Sequence, residues 1–131
     1  HGGRWVPDVI AIGVAKGVNL GRPDIAELAN HTLTLMGSTA IVAHEDVEVD
    51  TRWMGDDYAV PTTDGDAAIR WAARHGGWLL DRTYSGKGCA GLLGLAAEGR
   101  FGDDVVFVHT GGWPALFAPG GVPPEPVSLD R

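Results

Sequence analysis

Apolar and polar positions follow two different periods along the chain, and the changes of period mark the predicted elements. Residues 9–14 (VIAIGV) form a short apolar run rich in β-branched side chains, which is typical of a strand buried on both faces of a parallel sheet. At 40–49 an apolar run followed by alternation predicts a strand with an exposed end. Short apolar runs at 78–80 and 105–108 predict two further core strands.

Helical periodicity fills the segments between these strands. Pro23 can open a first helix that stops at Gly37, and a second helix is predicted from a cap at Asp64 to about His75. Ser85 can cap a third helix, which Gly99 ends. On the first helix, residues at helical spacing predict a face that lies on the sheet: Ile25, Leu28, Ala29, Thr32, Leu35 and Met36.

Strands that alternate with helices predict an α/β fold, a three-layer sandwich with a mainly parallel sheet. Strands from sequence outside this chain could complete that sheet. Residues 1–118 are expected to form one domain, with a loop at 50–62, and the Pro-rich tail 119–131 is expected to be poorly ordered. Ligands bind beyond the carboxyl ends of such strands, so chemistry is expected after Leu80 and Val108.

Charge and composition exclude several classes of protein. With 17 acidic and 10 basic residues the net charge is -7, and the scattered bases form no stripe for nucleic acid. The single cysteine, Cys89, excludes an internal disulfide, and no apolar run approaches the roughly 20 residues that span a bilayer. The dispersed histidines lack the spacing of a metal site. Neither nucleic acid, membrane nor metal is therefore expected, and a cytoplasmic location is favoured.

Two segments stand at the predicted strand ends: DRTYSGKG at 81–88 and HTGG at 109–112. The run TYSGK leading into CAGLLGLAAEGRF, with FVHTGGWPALFA after it, resembles the closing portion of the D-cysteine desulfhydrase and 1-aminocyclopropane-1-carboxylate (ACC) deaminase family. This family lies within the larger group of pyridoxal 5'-phosphate (PLP) enzymes that includes the tryptophan synthase β subunit. The resemblance extends from about Asp8 to Ala118.

The resemblance implies a fold type II PLP enzyme and specific roles for four residues. Tyr84 would lie next to the substrate at the cofactor face, and Tyr58, 26 positions earlier, near the phenolic side of the ring. Thr110 would offer its hydroxyl to the pyridine nitrogen, and Ser85 is also assigned to the cofactor. Without the resemblance, the tyrosines would be half-buried residues whose hydroxyls find a partner, and Ser85 a helix cap.

Two departures from the ACC deaminase pattern favour a desulfhydrase. Ser85 stands where those deaminases tend to have glutamate, and Thr110 where they tend to have leucine. A carboxylate at the pyridine nitrogen strengthens the ring as an electron sink, whereas a hydroxyl does so less and suits elimination of a good leaving group such as sulfide. The favoured reaction is α,β-elimination of D-cysteine to pyruvate, sulfide and ammonia. ACC deamination and a non-catalytic binding module with the PLP fold remain alternatives.

The lysine that holds the cofactor is expected to lie outside this chain. In the family, that lysine and the Ser/Gly-rich phosphate turns lie upstream of the matched region. Of the two lysines here, Lys16 and Lys87, the second matches the lysine after the tyrosine motif. Activity is therefore expected to need a missing N-terminal part or partner subunit, with a homodimer as the complete form. Some of the five tryptophans are expected to face that missing part or a second subunit.

Overall fold

The computed structural model describes residues 8–15 and 21–125. They divide into two compact units, one of residues 8–11 and 21–50, the other of 12–15 and 51–125. Three sequence features lie outside the described residues: Lys16, Trp5 and the end of the tail at 126–131. No helix in the described part is long and apolar enough to cross a membrane.

A two-stranded parallel sheet joins β1 (Ile10–Ile12) to β2 (Glu48–Asp50). The strand predicted at 40–49 is therefore present only at its end, after a 3-10 turn at His44–Asp46. The side chain of Asn30 explains the late start, because its amide donates to the carbonyl of Val42 at 3.0 Å and its oxygen accepts from the Val42 N–H at 2.8 Å. Both backbone groups that a strand would use at Val42 are thus occupied.

Helix α1 (Arg22–Leu35) begins as predicted, with proline in its first turn and the Asp24 carboxylate accepting from the Gly21 N–H at 2.8 Å. Its predicted apolar face is largely wrong. Ala26 is the buried residue of the helix, whereas Leu28 and Leu35 are 63% and 89% exposed. Periodicity locates an apolar stripe, but it does not say what covers it.

The second unit is built on α2 (Thr63–Gly76) and α3 (Ser85–Ala97), which pack against each other. The predicted second helix is confirmed, although its cap is the Thr62 hydroxyl, which accepts from the Gly65 N–H at 3.0 Å. Gly77 ends α2 in the left-handed conformation. Small side chains dominate the core between the helices, which consists of Ala68, Ile69, Ala72, Leu80, Cys89 and Ala90.

The strands predicted at 78–80 and 105–108 are wrong: in the described part of the chain neither segment belongs to a sheet. Leu80 is buried and Phe107 packs against the core, but Val106 and Val108 are 83% and 74% exposed. The structure is α/β, as predicted, but with a two-stranded sheet in place of the predicted mainly parallel sandwich. An apolar pattern indicates burial, whereas a strand also needs a neighbour for its backbone hydrogen bonds.

Aromatic rings form a continuous series along the second unit. Neighbouring ring centroids lie 4.8 to 6.4 Å apart, a range in which aromatic pairs attract each other. Three tryptophans of the series remain 36%, 43% and 56% exposed. Their proposed contact with a missing part stays a prediction. In spatial order the series is His75, Trp71, Trp78, Phe107, His109 and Trp113.

Cys89 lies in the centre of this core with no exposed surface, and burial raises the pKa of its thiol to about 11. Because the folded-state pKa lies above the ordinary thiol value of 9.0, this contribution to stability is complete below pH 9 and is lost as the pH rises through 11. We expect the free energy of unfolding to fall over that range in the native chain relative to Cys89→Ala. Urea titrations of both proteins at several pH values would show it.

A second measurement checks the burial directly. At pH 8 the thiol should react with a disulfide reagent only as fast as the chain unfolds, because the thiolate is the reactive form and the side chain is inaccessible. Labelling of the folded protein at the rate of the urea-unfolded protein would contradict the buried position.

Candidate functional site

The structure brings together the two tyrosines singled out in the sequence. The hydroxyls of Tyr58 and Tyr84 are hydrogen-bonded, and their rings meet edge to face with centroids 6.0 Å apart. Both side chains remain accessible, at 49% and 41% exposed. The hydrogen bond with Tyr58 is the main cause that raises the pKa of Tyr84 above its usual value. The phenol of Tyr84 thus stays protonated at neutral pH.

A tight turn presents Tyr58. The Asp57 carboxylate accepts from the Tyr58 N–H at 2.7 Å, and the Val60 N–H donates to the Asp57 carbonyl at 3.4 Å. Ala59 adopts a φ of 57°, a left-handed conformation that costs energy for any residue with a Cβ. Strained backbone of this kind is concentrated at functional sites.

The segment before α3 is ordered by Asp81, a buried carboxylate with no exposed surface. One carboxylate oxygen accepts from the N–H groups of Thr83 and Tyr84, both at 2.8 Å. The other accepts from the N–H of Ser85 at 2.8 Å and from its hydroxyl at 2.6 Å. Burial alone would raise the pKa of Asp81, but the hydrogen bonds from Ser85, Tyr84 and Thr83 together lower it. The residue is therefore a stable anion.

Ser85 points toward this anion. Its hydroxyl donates to Asp81 and accepts from the Asp81 N–H at 2.8 Å, so it does not cap the helix as predicted. A hydroxyl has one hydrogen and two lone pairs, and one lone pair is left for another donor. The side chain is buried, and its predicted contact with a cofactor stays a prediction.

The segment at 109–112 packs against the same carboxylate. A Cβ on Gly112 would lie 2.6 Å from the carboxyl carbon of Asp81, so only glycine allows this approach. Before it, His109 is fixed by two backbone groups: its Nδ1 accepts from the Gly111 N–H at 3.1 Å, and its Nε2 lies 2.9 Å from the carbonyl of Leu79. The Trp113 Nε1–H also points at this Nε2, at 3.4 Å.

The structure thus brings together the two segments that the sequence singled out, HTGG and DRTYSGKG. Thr110 is exposed at the start of the glycine turn. Its predicted role toward a pyridine nitrogen stays a prediction.

Lys87 is completely buried and binds three backbone carbonyl groups from two segments of the chain. Its Nζ donates to the carbonyl oxygens of Met54, Val14 and Asp57 at 2.7, 3.3 and 3.5 Å. Burial lowers the pKa of Lys87, and the charge of Asp57 opposes this shift in part. The amine supports the turn that carries Tyr58.

Two anchoring groups escaped the sequence analysis. Arg82 binds the carboxylate of Asp66 through two of its nitrogens, at 2.8 and 2.7 Å, and also donates to the carbonyl of Gly120 at 2.8 Å. The second group is Asp81, which the sequence analysis names only as the first residue of the segment DRTYSGKG. The spacing of an aspartate four positions before a serine that opens a helix is the signal that could have identified it.

A groove of about 350 Å³ lies next to the tyrosine turn and the segment before α3. Its size is within the range of small-molecule sites. Among the residues that the structure describes, no cluster of histidine, cysteine, aspartate and glutamate could hold a metal ion. The groove is lined by Ala59, Pro61, Arg82, Thr83, Ala115, Ala118, Pro119, Gly120 and Gly121.

Comparison with known proteins supports the resemblance. The chain is 36% identical over 116 residues to a protein from Burkholderia cenocepacia named 1-aminocyclopropane-1-carboxylate deaminase, a match that covers 87% of this chain and 34% of that protein. It is 37% identical over 117 residues to a protein from Salmonella typhi named D-cysteine desulfhydrase, a match that covers 86% of this chain and 35% of that protein. The chain therefore spans about a third of the length of the curated relatives it matches. No family model matches it.

Proposed function

Since this chain is a relative, over most of its length, of the D-cysteine desulfhydrase and ACC deaminase family, we propose that it forms the substrate side of a PLP-dependent lyase. The contact between the hydroxyls of Tyr58 and Tyr84 carries the proposal. Two residues that the resemblance assigns to one site, 26 positions apart in sequence, touch each other and remain accessible. Half-buried tyrosines outside a binding site also pair their hydroxyls, so what the exposure of both phenols adds is that a ligand can reach this pair.

In this proposal the chain would contact the ring of the cofactor and would not supply its covalent attachment. Thr110 and Ser85 would face the ring nitrogen, and Tyr58 its phenolic side. The amine of Lys87 does not fit an attachment point, because it is buried and engaged by three carbonyl oxygens. When bound, PLP supplies an electron sink for the α-carbon of an amino acid. The proposed site therefore needs a lysine from outside this chain.

The tyrosines would handle protons beside the substrate. The raised pKa of Tyr84 keeps its hydroxyl protonated at neutral pH. When Tyr58 is the donor within the hydroxyl pair, the Tyr84 hydrogen would be available to a developing anion such as the departing sulfur. Tyr58 shares the hydrogen bond and restricts the direction of that hydroxyl. The neighbouring groove would hold the remainder of a small amino acid.

The proposed reaction is α,β-elimination of D-cysteine to pyruvate, sulfide and ammonia. Ser85 and Thr110 support it, because neutral hydroxyls near the ring nitrogen favour substrates with a good leaving group. ACC deamination is the alternative, since a relative of that name matches with nearly the same identity. The complete enzyme is proposed to be a cytoplasmic homodimer in which the lysine-bearing part is joined to this chain or supplied by a partner subunit.

Assays of the complete protein test this proposal. Sulfide release from D-cysteine should exceed ammonia release from ACC, with L-cysteine as the control for chirality. The paired replacements Ser85→Glu and Thr110→Leu, which introduce the residues typical of ACC deaminases, should reduce sulfide release. A preference of the native protein for ACC would overturn the desulfhydrase assignment. Borohydride reduction that gives no pyridoxyl adduct would instead support a non-catalytic binding module.

A further inference from the structure

Asp81 makes more contacts with the candidate site than any role implied by the resemblance requires. Its carboxylate accepts four hydrogen bonds from Thr83, Tyr84 and Ser85. Its own N–H donates to the Ser85 hydroxyl and its carbonyl accepts from the Gly86 N–H at 2.8 Å. Every polar group of this buried residue is therefore engaged within the segment that carries Tyr84.

We propose that Asp81 is a positioning residue of the candidate site, which holds Tyr84 against Tyr58 and keeps the turn at Gly112 beside them. The relevance of this role to catalysis rests on the proposed function. The hydrogen bonds of Asp81 are independent of that function.

The direct link to Tyr84 is its backbone. Its N–H donates to the Asp81 carboxylate, while its phenol contacts Tyr58 at the other end of the same side chain. Because the N–H groups on both sides of Tyr84 bind the same anion, the residue has little freedom to rotate. A carboxylate with no exposed surface thus fixes the backbone from which the phenol extends toward Tyr58.

The second link runs through Gly112. The Asp81 side chain occupies the space where a Cβ of residue 112 would lie. A Cβ on Gly86 would lie 2.6 Å from the backbone carbonyl oxygen of Asp81. Both the side chain and the backbone of the aspartate are therefore closely approached by glycine backbone, and a displacement of the side chain would move the turn at Gly112.

A role limited to capping α3 and a role in positioning Tyr84 can be told apart by replacing the Asp81 carboxylate with an amide. A carboxylate can accept all four hydrogen bonds, but an asparagine offers one oxygen, and its amide nitrogen would face two donors. Asp81→Asn therefore keeps the shape and removes half of the acceptors. If Asp81 positions Tyr84, this change must alter the phenol pair.

The tyrosine content of the chain allows a titration that reports only on the candidate site. The chain has two tyrosines, and both are in the site. The ultraviolet absorbance of tyrosinate during an alkaline titration thus reports the site alone, in the purified chain without cofactor or substrate. In the native chain the hydrogen bond with Tyr58 holds the pKa of Tyr84 above 10.0. In Asp81→Asn we expect the midpoint to move down toward that value.

A double-mutant cycle separates positioning from the loss of a nearby charge, since the charge of Asp81 also raises the pKa of Tyr84 directly. In the Tyr58→Phe background, Tyr84 is the single tyrosine. If Asp81 acts by holding Tyr84 against Tyr58, Asp81→Asn should shift the midpoint much less in this background. A shift of equal size in both backgrounds would overturn the proposal. The matched control, Asp46→Asn, alters a carboxylate outside the site that likewise accepts from a backbone N–H, that of Ala43, and should leave the titration unchanged.

Circular dichroism at neutral pH would first confirm that each variant is folded. If Asp81→Asn does not fold, proton NMR of the native chain provides the test. As Asp81 is protonated in acid, the amide signals of Thr83 and Ser85 and the ring signals of Tyr84 should change with one midpoint. Amide changes without ring changes would reduce Asp81 to a local cap and overturn the proposal. A failed lyase assay would leave all of these results intact.

Discussion

Replacing Lys87 with methionine is expected to destabilise the chain by about 3 kcal/mol. Methionine keeps most of the volume of the buried stem but removes the amine that donates to the carbonyl oxygens of Met54 and Val14. The Asp57 carbonyl also loses this donor but keeps the Val60 N–H. A partly buried acceptor that loses its partner recovers only part of its hydration, which costs free energy. Urea unfolding followed by tryptophan fluorescence would give the difference.

Arg70→Met is the matched control for Lys87→Met. Arg70 is a partly buried cation of the same unit whose Nη1 lies 3.5 Å from a single carbonyl oxygen, that of Pro124. Its replacement should change the free energy of unfolding by no more than about 0.5 kcal/mol. Equal losses in the two variants would show that burial of a long side chain, rather than the three carbonyl contacts, is what matters at Lys87.

The difference between native chain and Lys87→Met should also depend on pH. Because burial lowers the pKa of Lys87 below 10.5, the folded chain releases this proton at a lower pH than the unfolded chain does. Stability then rises with pH between the folded-state pKa and 10.5. The advantage of the native chain over Lys87→Met should widen in that range, while the opposite contribution of Cys89 is common to both proteins and cancels.

Gly112→Ala is expected to cost about 3 kcal/mol, for two separable reasons. The residue has a φ of 100°, which is unfavourable for alanine, and the added methyl group would collide with the Asp81 carboxylate. Gly111→Ala isolates the first reason, because Gly111 has a φ of 113° but no atom within 4 Å of an added Cβ. The control should cost about 1–2 kcal/mol.

Thermal and urea unfolding of both glycine variants measure these costs. The tyrosinate titration should change in Gly112→Ala and stay native in Gly111→Ala, since only the first displaces Asp81. If the two variants lose the same stability, the packing of Gly112 against Asp81 contributes nothing.

The helices of the second unit could be predicted because their signals are local. Gly77 adopts the left-handed conformation that its position after the apolar pattern indicates, and α2 differs from the prediction mainly in using Thr62 as its cap. The strands could not be predicted as well, because pairing is not local. Val42 has an apolar, β-branched side chain, yet its backbone groups are bound by Asn30, twelve positions away in sequence.

The residues of the candidate site likewise divide into those that the sequence could predict and those that depend on contacts formed by folding. Tyr58 and Tyr84 could be paired in advance because the resemblance preserves their spacing, and the structure places their hydroxyls in contact. Asp81 could not be identified from pattern, since its importance lies in four donors that fold around it. Ser85 illustrates the intermediate case: a serine at a helix start suggests a cap, but a nearby buried anion attracts its hydroxyl instead.

The exposed valines at 105–108 have a consequence for how this chain behaves at high concentration. A short β-branched segment with no charge of its own is the kind of sequence that stacks into fibrils when its side chains are uncovered. Asp103 and Asp104 stand directly before it. Stacking copies in register would place these carboxylates on top of one another, and their repulsion opposes assembly. The two aspartates thus act as gatekeepers, and neutralising both should promote aggregation without altering the fold.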